Sequence, residues 1–360
     1  MRQPISPDLT RRRSRWTLPG AALLAVVLSS CSYIGVQDGP LDSLDPRGPF
    51  AREIDDLFWL VFWIAVAIFV IVEGALLVAV FLFRDRKDRK EPKQVHGNTK
   101  LEITWTLIPA LILAGIAVPT VRSVFNLTEC GDGAMPVKVI GHQWWFEYQY
   151  EQYGVETANV LVIPADEEVC LDMTSDDVLH NYWIPQLNGK RYLVPGQQTV
   201  LRLQADEPGE YWGHCAEFCG LSHSLMRARV LALPRPEFDT WVETQQQVAV
   251  VPEEGTPAAE GLELFALRGC TQCHTVDYGP ESPATNIVPS DLFNGPNLTH
   301  FADRTVFAGA AFPEEGETYE ESLKRWLANP PKLKPGSFMP NLGLTEQEID
   351  ALIAWLGTLK

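Results

Sequence analysis

Residues 213–226 read Gly213-His214-Cys215-Ala216-Glu217-Phe218-Cys219-Gly220-Leu221-Ser222-His223-Ser224-Leu225-Met226. Within this run, two thiols, an imidazole and a thioether lie close together in sequence. Such soft ligands favour copper over hard cations. The run therefore predicts a copper site, which residues from elsewhere in the chain complete.

The ligand pattern of mononuclear copper proteins accounts for most of this run. In those proteins a cysteine, a histidine and a weakly bound methionine come from one loop, and a second histidine comes from further upstream. Cys219, His223 and Met226 fit the loop. His180 is the upstream candidate, and Cys215 adds a second thiolate with which two copper ions can be bridged. A zinc site or a disulfide between the two cysteines is the alternative, but neither accounts for Met226 together with His180.

A second motif, Cys270-Thr271-Gln272-Cys273-His274, has the spacing of a covalently attached c-type haem. Cys270 and Cys273 would form thioethers, and His274 would bind the iron. Met339 is the only methionine after the motif, so it is the predicted sixth ligand, and a methionine ligand raises the reduction potential. A zinc-binding or redox-active pair of cysteines is the alternative, against which the following histidine argues.

The chain between residues 130 and 241 has short β-type runs separated by proline, glycine and aspartate clusters, a pattern that predicts an antiparallel sandwich. The runs are 137–140, 144–150, 158–164, 199–203 and 228–233. Residues 245–258, which lack periodicity, predict a linker. The remainder is helical, and its last helix opens with a capping box formed by Thr345 and Glu348.

Two apolar runs, residues 57–83 and 103–121, are long enough to form membrane-spanning helices. The loop between them, residues 84–100, carries seven basic residues against three acidic ones. By the positive-inside rule this loop is cytoplasmic. Both chain termini are therefore predicted on the outer, periplasmic side of a bacterial inner membrane.

The N-terminal residues predict an exported protein. Residues 1–30 combine a basic segment with an apolar core that is too short to span a bilayer, as in a cleaved signal peptide. The sequence Leu28-Ser29-Ser30-Cys31 resembles a bacterial lipobox, in which Cys31 would become an N-terminus attached to membrane lipid. An uncleaved anchor is the alternative.

The net charge indicates which kinds of partner suit the chain, and two cysteines remain that could form a disulfide. The net charge is −17, and an acidic chain is unsuited to nucleic acid, because phosphate binding needs clustered cations. An acidic surface instead suits a basic partner. Cys130 and Cys170 remain outside both motifs, and they fit equally well as a disulfide or as two separately buried thiols.

The copper pattern resembles subunit II of cytochrome c oxidase over about residues 50–240. The matching positions are His180, Cys215, Glu217, Cys219, His223 and Met226. The resemblance implies a dinuclear copper centre, CuA, to which Glu217 gives its backbone carbonyl. It also implies a magnesium ion that faces the Glu217 carboxylate and is shared with the catalytic subunit. Residues 258–360 resemble a class I cytochrome c domain.

Together these resemblances imply a multi-domain chain. Residues 1–30 would be a lipoprotein-type signal peptide, and 31–122 an N-terminal segment with a two-helix transmembrane hairpin. Residues 123–244 would form an all-β cupredoxin-like CuA domain. A linker at 245–258 would lead to an all-α class I cytochrome c domain at 259–360.

Other positions take expected roles from the same resemblance. Trp144 matches the residue at which electrons enter the copper centre, and Asp176 and Asp177 match positions that dock a cytochrome c donor. Glu102 would lie at the mouth of a proton path into the catalytic subunit. Tyr192 departs from the family pattern, which often has aspartate at that position.

The function implied is that of an oxidase subunit II with its own haem. A cytochrome c or a quinol–cytochrome c reductase would donate electrons to the haem. The copper centre would pass them to subunit I, which reduces oxygen to water with proton pumping, so the oxygen-reducing site lies outside this chain. A stand-alone membrane-anchored electron-transfer protein and a copper-delivery or sensor protein are the alternatives. Two spans together with Glu102 favour packing against a large membrane subunit.

Overall fold

The computed structural model describes residues 39–84, 94–279 and 295–360. The predicted signal peptide, the predicted lipid-attachment site Cys31 and most of the basic loop lie outside these residues. Residues 43–360 form one compact unit, and the fold below is that of this unit.

Two long apolar helices come first: α1 (Pro49–Leu82) and α2 (Thr99–Thr128). Both are long and apolar enough to cross a membrane, and none of the most apolar stretch of either is buried within the protein. Asn98 caps α2 by accepting hydrogen bonds from the backbone N–H groups of Lys100 and Leu101. The two predicted apolar runs are therefore confirmed as helices that present hydrophobic side chains outward on all sides.

A sandwich of two five-stranded sheets follows. The strands are β1 (Met135–His142), β2 (Trp145–Tyr150), β3 (Val155–Ala158), β4 (Val160–Pro164), β5 (Val169–Ser175), β6 (His180–Trp183), β7 (Arg191–Leu193), β8 (Thr199–Leu203), β9 (Gly209–Cys215) and β10 (Arg227–Leu233). One sheet has the order β3-β2-β1-β5-β8, and the other has the order β4-β10-β9-β6-β7. The predicted sandwich is confirmed.

The prediction that the sandwich is wholly antiparallel is wrong. β1 pairs with β5 in parallel, with Val137 opposite Leu171, and β4 pairs with β10 in parallel. The chain leaves one sheet after Ala158 and returns to it with β5. Hairpins impose antiparallel neighbours, whereas strands brought together by a crossover can run parallel.

Alternating burial along the strands builds the core between the sheets. In β5, Val169, Leu171 and Met173 are fully buried, and the residues between them are partly exposed. This period of two is the strand periodicity in which successive side chains point to opposite faces. Tyr148 and Tyr182 add aromatic volume to the same core and share a hydrogen bond between their hydroxyls (3.2 Å).

Two links fasten the helical hairpin to the sandwich. Cys130, just after α2, forms a disulfide with Cys170 in β5, which decides between the two sequence alternatives in favour of pairing. The guanidinium of Arg202 in β8 donates to the Glu168 carboxylate (2.7 and 2.8 Å) and to the Asn126 carbonyl of α2, and it lies 4.4 Å from the Phe50 ring centre in α1.

The C-terminal part is helical, as predicted. Its helices are α3 (Arg235–Gln245), α4 (Pro257–Leu267), α5 (Tyr319–Ala328), α6 (Pro330–Leu333) and α7 (Glu346–Leu356). Helix α3 packs on the sandwich through the buried Phe238 and Val242. The predicted capping box of Thr345 and Glu348 opens α7.

Helices α4 and α7 cross at a point where a glycine is required. A Cβ at Gly261 would collide with the backbone carbonyl of Ala351, so the two helices approach at van der Waals distance only because Gly261 has no side chain. Trp355 is fully buried beside them and donates from its indole to the Tyr278 hydroxyl (2.9 Å).

Candidate copper and haem sites

The copper-ligand candidates come together at one end of the second sheet. His180 begins β6 and Cys215 ends β9, and these two strands pair, with Tyr182 opposite Cys215. The loop after β9 carries Cys219, and a short 3₁₀ turn that begins at His223 leads to Met226. The sheet register thus places the distant histidine beside the loop.

The ligand atoms of these residues converge. The ligand atoms of His180, Cys215 and Cys219 all lie within 4.8 Å of one another. Cys219 Sγ is 3.5 Å from His223 Nδ1 and 3.8 Å from Met226 Sδ. His180 and Met226 are fully buried. Two imidazoles, two thiols and a thioether come together here, all buried except the partly exposed His223, and they are the soft donor set that suits copper.

The two thiols face each other without being bonded. Cys215 Sγ lies 3.8 Å from Cys219 Sγ, well beyond the ~2.05 Å of a disulfide. The hydrogen bond with the Cys219 thiol, assisted by His180, lowers the pKa of Cys215, so a thiolate forms readily there. The backbone carbonyl oxygen of Glu217 lies 3.2 Å from Cys215 Sγ, so it faces the same cluster.

A carboxylate behind His180 fixes the orientation of its ring. Asp177 Oδ1 lies 2.7 Å from His180 Nε2, so His180 Nδ1 faces the thiols, 3.9 Å from Cys215 Sγ. The same carboxylate accepts from the backbone N–H groups of Gln143 and Val178 (2.6 Å each). A carboxylate on the far nitrogen of a ligating histidine sets its tautomer and raises its basicity.

This contact separates the two aspartates that the sequence analysis assigned to donor docking. The Asp177 side chain is only 26% exposed and binds His180, whereas the Asp176 side chain is 53% exposed. Sequence reasoning missed the bond to His180, although the spacing of three residues between Asp177 and His180 was available as a signal. Asp176 is therefore the more accessible of the two carboxylates.

Trp144 lies against the loop of residues 216–226, here called the copper loop. It is buried, and its indole N–H donates to the Cys219 carbonyl (3.0 Å), which also accepts from the Gln143 side chain (2.6 Å). The indole is thus one hydrogen bond away from the backbone of a copper-ligand candidate. Nearby, His142 received no role in the sequence analysis, and it is buried with its Nε2 2.9 Å from the Glu147 carboxylate.

Two further sequence-predicted positions lie apart from the ligand cluster. Tyr192, where the family often has aspartate, is exposed and shares a hydrogen bond with the Glu217 side chain, and that contact raises the pKa of Tyr192. Glu102 lies exposed in the first turn of α2, and its Oε1 accepts from the backbone N–H of Asn98 (3.3 Å).

The CxxCH motif folds as a tight turn that begins at Gly269, whose left-handed backbone (φ +76°) favours glycine. Cys270 and Cys273 are free thiols and partly exposed. His274 Nδ1 lies 2.8 Å from the Pro296 carbonyl, which leaves Nε2 available for iron. Burial lowers the pKa of His274, so the imidazole is neutral, as ligation requires.

The surroundings of His274 fit a haem. Among the described residues, Arg304 Nε and the Tyr319 hydroxyl are buried polar atoms without a partner. Arg304 donates from its Nη2 to the Asn297 carbonyl and acts electrostatically on both His274 and Tyr319, which places a cation near the motif. Unpartnered buried donors are costly, and the anionic side chains of a haem would satisfy them. Met339 is partly buried and packs against the hydrophobic core of the C-terminal domain, which includes Phe265 and Trp355.

Comparisons with known proteins agree with this geometry. Three family descriptions match: "Cytochrome C oxidase subunit II, transmembrane domain" over 43–122, "Cytochrome C oxidase subunit II, periplasmic domain" over 154–232, and "Cytochrome c" over 258–360. Cytochrome c oxidase subunit 2 of Alkalihalophilus pseudofirmus is 37% identical, over 94% of this chain and 95% of its own length. The chain belongs to the cytochrome c oxidase subunit II family.

The chain is also similar to subunit II from other bacteria. Cytochrome c oxidase subunit 2 of Bacillus sp. strain PS3 is 38% identical over 77% of this chain and 80% of its own length. A crystal structure of the periplasmic domain of subunit II from Bradyrhizobium japonicum is 25% identical, covers 33% of this chain and 97% of its own, and has a TM-score of 0.32.

Membership of the subunit II family establishes the coarse features of the protein. It is a membrane protein with two spans, a subunit of an oxidoreductase complex and a partner of oxidase subunit I. Its domains are a two-helix hairpin, a cupredoxin-like sandwich and a cytochrome c domain, as the sequence predicted. The sandwich implies copper and the cytochrome c domain implies haem.

Proposed function

We propose that this chain takes electrons from an external donor at a haem attached through Cys270 and Cys273, and relays them through a dinuclear copper centre to oxidase subunit I. The observation that carries the proposal is the convergence of two unbonded thiols, two imidazoles and a thioether beside the Glu217 carbonyl. His180, Cys215, Cys219, His223 and Met226 would hold the copper ions with this carbonyl.

A pair of copper ions held by these residues would share one electron, so the change of geometry on reduction would be small, which suits rapid transfer. The chain's own residues add to this effect. Asp177 fixes the ring of His180, so the ligand set does not have to reorganise. Trp144 supplies an aromatic ring that is hydrogen-bonded to Cys219. In the haem domain, His274 and Met339 would hold the haem iron, and a methionine ligand raises the potential.

Because the haem domain is part of the same chain, it affects how electrons are supplied to the copper domain. A short tether between two sites gives an effective concentration of about millimolar. Donation from the attached haem therefore does not depend on tight binding of a soluble carrier to the copper domain. A cytochrome c or a quinol–cytochrome c reductase is the proposed donor to the haem, and the exposed Asp176 suits a basic partner.

The remaining assignments concern subunit I and the membrane. We assign the Glu217 carboxylate to a magnesium ion at the interface with subunit I, and Glu102 to the entrance of a proton path that serves its proton pumping. The termini would lie on the periplasmic side, with Cys31 lipid-modified after removal of residues 1–30. The exposed position of Glu102 at the first turn of α2 supports a contact with a partner in the membrane.

Purification in mild detergent tests the proposal. We expect two copper ions and one covalent haem per chain, together with a-type haem absorbance that co-elutes with the chain. If no a-type haem co-elutes with the chain, the result favours a stand-alone electron-transfer protein instead.

Cys219→Ser tests the ligand set. Because the substitution removes one of the two thiolates that would hold the copper ions, it is expected to abolish the near-infrared absorption of CuA. The covalent haem spectrum serves as the internal control and should be unchanged, since the haem is attached elsewhere. Survival of the near-infrared band would rule out the assigned ligands.

A further inference from the structure

The haem domain is docked on the copper domain through backbone groups of both. The Gly309 N–H donates to the side-chain oxygen of Asn159 (3.0 Å), and the Arg227 N–H donates to the Gly309 carbonyl (2.8 Å). The Ser222 hydroxyl, in the copper loop, donates to the Pro335 carbonyl (2.7 Å). These bonds join residues far apart in sequence, so they exist only while the two domains are in contact.

A lysine ammonium lies inside this interface. Lys334 is 4% exposed, and among the described residues it is the only buried lysine. Its Nζ donates to the Trp144 carbonyl of the copper domain and to the Ala308 carbonyl of the haem domain (2.8 Å). Burying a lysine amine is costly unless it is hydrogen-bonded, and here the two acceptors come from the two domains. Opening the interface would remove one of them.

The turn that follows Lys334 touches the Trp144 ring itself. Gly336 has a left-handed backbone (φ +84°), and a Cβ there would lie 2.5 Å from Cη2 of Trp144. On its other side the same indole is hydrogen-bonded to the carbonyl of Cys219. Gly336 precedes Met339 by three residues. One ring therefore contacts both the copper loop and the segment that carries the sixth haem ligand.

We propose that Lys334 and Gly336 are positioning residues that hold the haem domain against the part of the copper domain that carries Trp144. In this way they set the rate of electron transfer from haem to copper. The inference rests on the proposed haem and copper function. Lys334 binds the backbone of Trp144, and Gly336 permits close approach to its ring. Neither residue touches a metal ligand candidate.

The test uses the intact oxidase complex with four variants. Lys334→Met removes the ammonium, and Lys332→Met is its control, because Lys332 is exposed on the same segment. Gly336→Ala pushes a methyl group against Trp144. Gly343→Ala is its control, because Gly343 shares a positive φ (+62°) but has open space around it. The two test variants disturb one interface by different means, so the failure of one to fold leaves the other.

Two quantities are measured in each variant. Amide hydrogen exchange at Arg227 and Gly309 reports opening of the interface, since both amides donate across it. We expect about tenfold faster exchange in Lys334→Met and Gly336→Ala, which corresponds to about 1.4 kcal/mol. Flash reduction of the haem, followed by the appearance of reduced copper, should show internal transfer slowed by a similar factor. Both controls should match the unmodified protein.

Unchanged exchange, unchanged transfer across an opened interface, or equal effects in the controls would overturn the inference. Loss of the proposed function itself gives a different result. In that case the unmodified complex would lack the near-infrared copper band or the covalent haem, and hydrogen exchange alone would still report whether Lys334 and Gly336 hold the interface.

Discussion

At the scale of single residues, Asp177 shows how a neighbouring side chain can orient a candidate copper ligand, His180. Its carboxylate binds His180 Nε2 and two backbone N–H groups, so the ring is held with Nδ1 toward the thiols. Asp177→Asn keeps the size of the side chain but removes the charge. We expect copper affinity to fall by about 10- to 100-fold, measured by competition with a copper chelator.

Asp176→Asn is the matched control for that experiment. Asp176 is the adjacent carboxylate, it is more exposed, and it lies 3.7 Å from His142 rather than beside His180. Its copper affinity should equal that of the unmodified protein. Equal losses in both variants would mean that general surface charge, rather than the bond to His180, supports the copper site.

At the scale of elements, α7 depends on the capping box at its start. The backbone N–H of Thr345 and then Arg268 lower the pKa of Glu348 to about 2. A carboxylate with a depressed pKa stabilises the folded state above its ordinary pKa of 4.5, and that contribution is lost as the pH falls toward about 2. We expect Glu348→Gln to lower the melting temperature at neutral pH and to flatten its decline below pH 4.5.

Two variants complete this measurement on α7. Thr345→Ala removes the other half of the box and should cost about 1 kcal/mol of the free energy of unfolding. Glu346→Gln is the control, since Glu346 is an exposed carboxylate in the same first turn but outside the box. A Glu346→Gln effect as large as that of Glu348→Gln would assign the stabilisation to the helix dipole alone.

At the scale of the whole molecule, the Cys130–Cys170 disulfide joins the end of the membrane hairpin to the sandwich across a sequence separation of 40 residues. Closing a loop of this size restricts the unfolded chain and is worth about 2–4 kcal/mol. Replacing both cysteines by serine should lower the free energy of unfolding of the sandwich by that amount, measured by denaturant titration in detergent.

Reduction of the unmodified protein provides the control for the disulfide. It should reproduce the loss seen in the double serine variant while leaving the copper ligands in place. Equal stability with and without the disulfide would show that Arg202 and its partners hold the hairpin to the sandwich without help from the cross-link.

The sequence was enough to predict which side chains converge at the candidate copper site, because four of them lie within one short loop and their spacing is local. It was also enough for the two apolar helices and for the capping box of α7, which are local patterns too. The parallel pairing of β1 with β5 was not predictable in this way, because direction across a crossover depends on the path of the chain rather than on local residues.

Contacts that depend on tertiary packing were likewise missed. The pairing of Cys130 with Cys170 stayed undecided, since spacing does not determine connectivity. The roles of Asp177 and Lys334 depend on what each side chain meets in space. The sequence around Lys334 is polar and does not indicate that this lysine is buried. Its burial follows from contact with the copper domain, where its Nζ meets the Trp144 carbonyl.

The clamp formed by Arg202 affects how the complex assembles. One guanidinium binds Glu168, Asn126 and the ring of Phe50, and so ties both spans to the sandwich. Domains that swing freely lose orientational freedom when a partner captures them, and this loss opposes association. Here the copper face and the spans already share one orientation. A membrane partner that binds the hairpin therefore finds the candidate copper site already oriented relative to the spans, and little orientational freedom is lost on assembly.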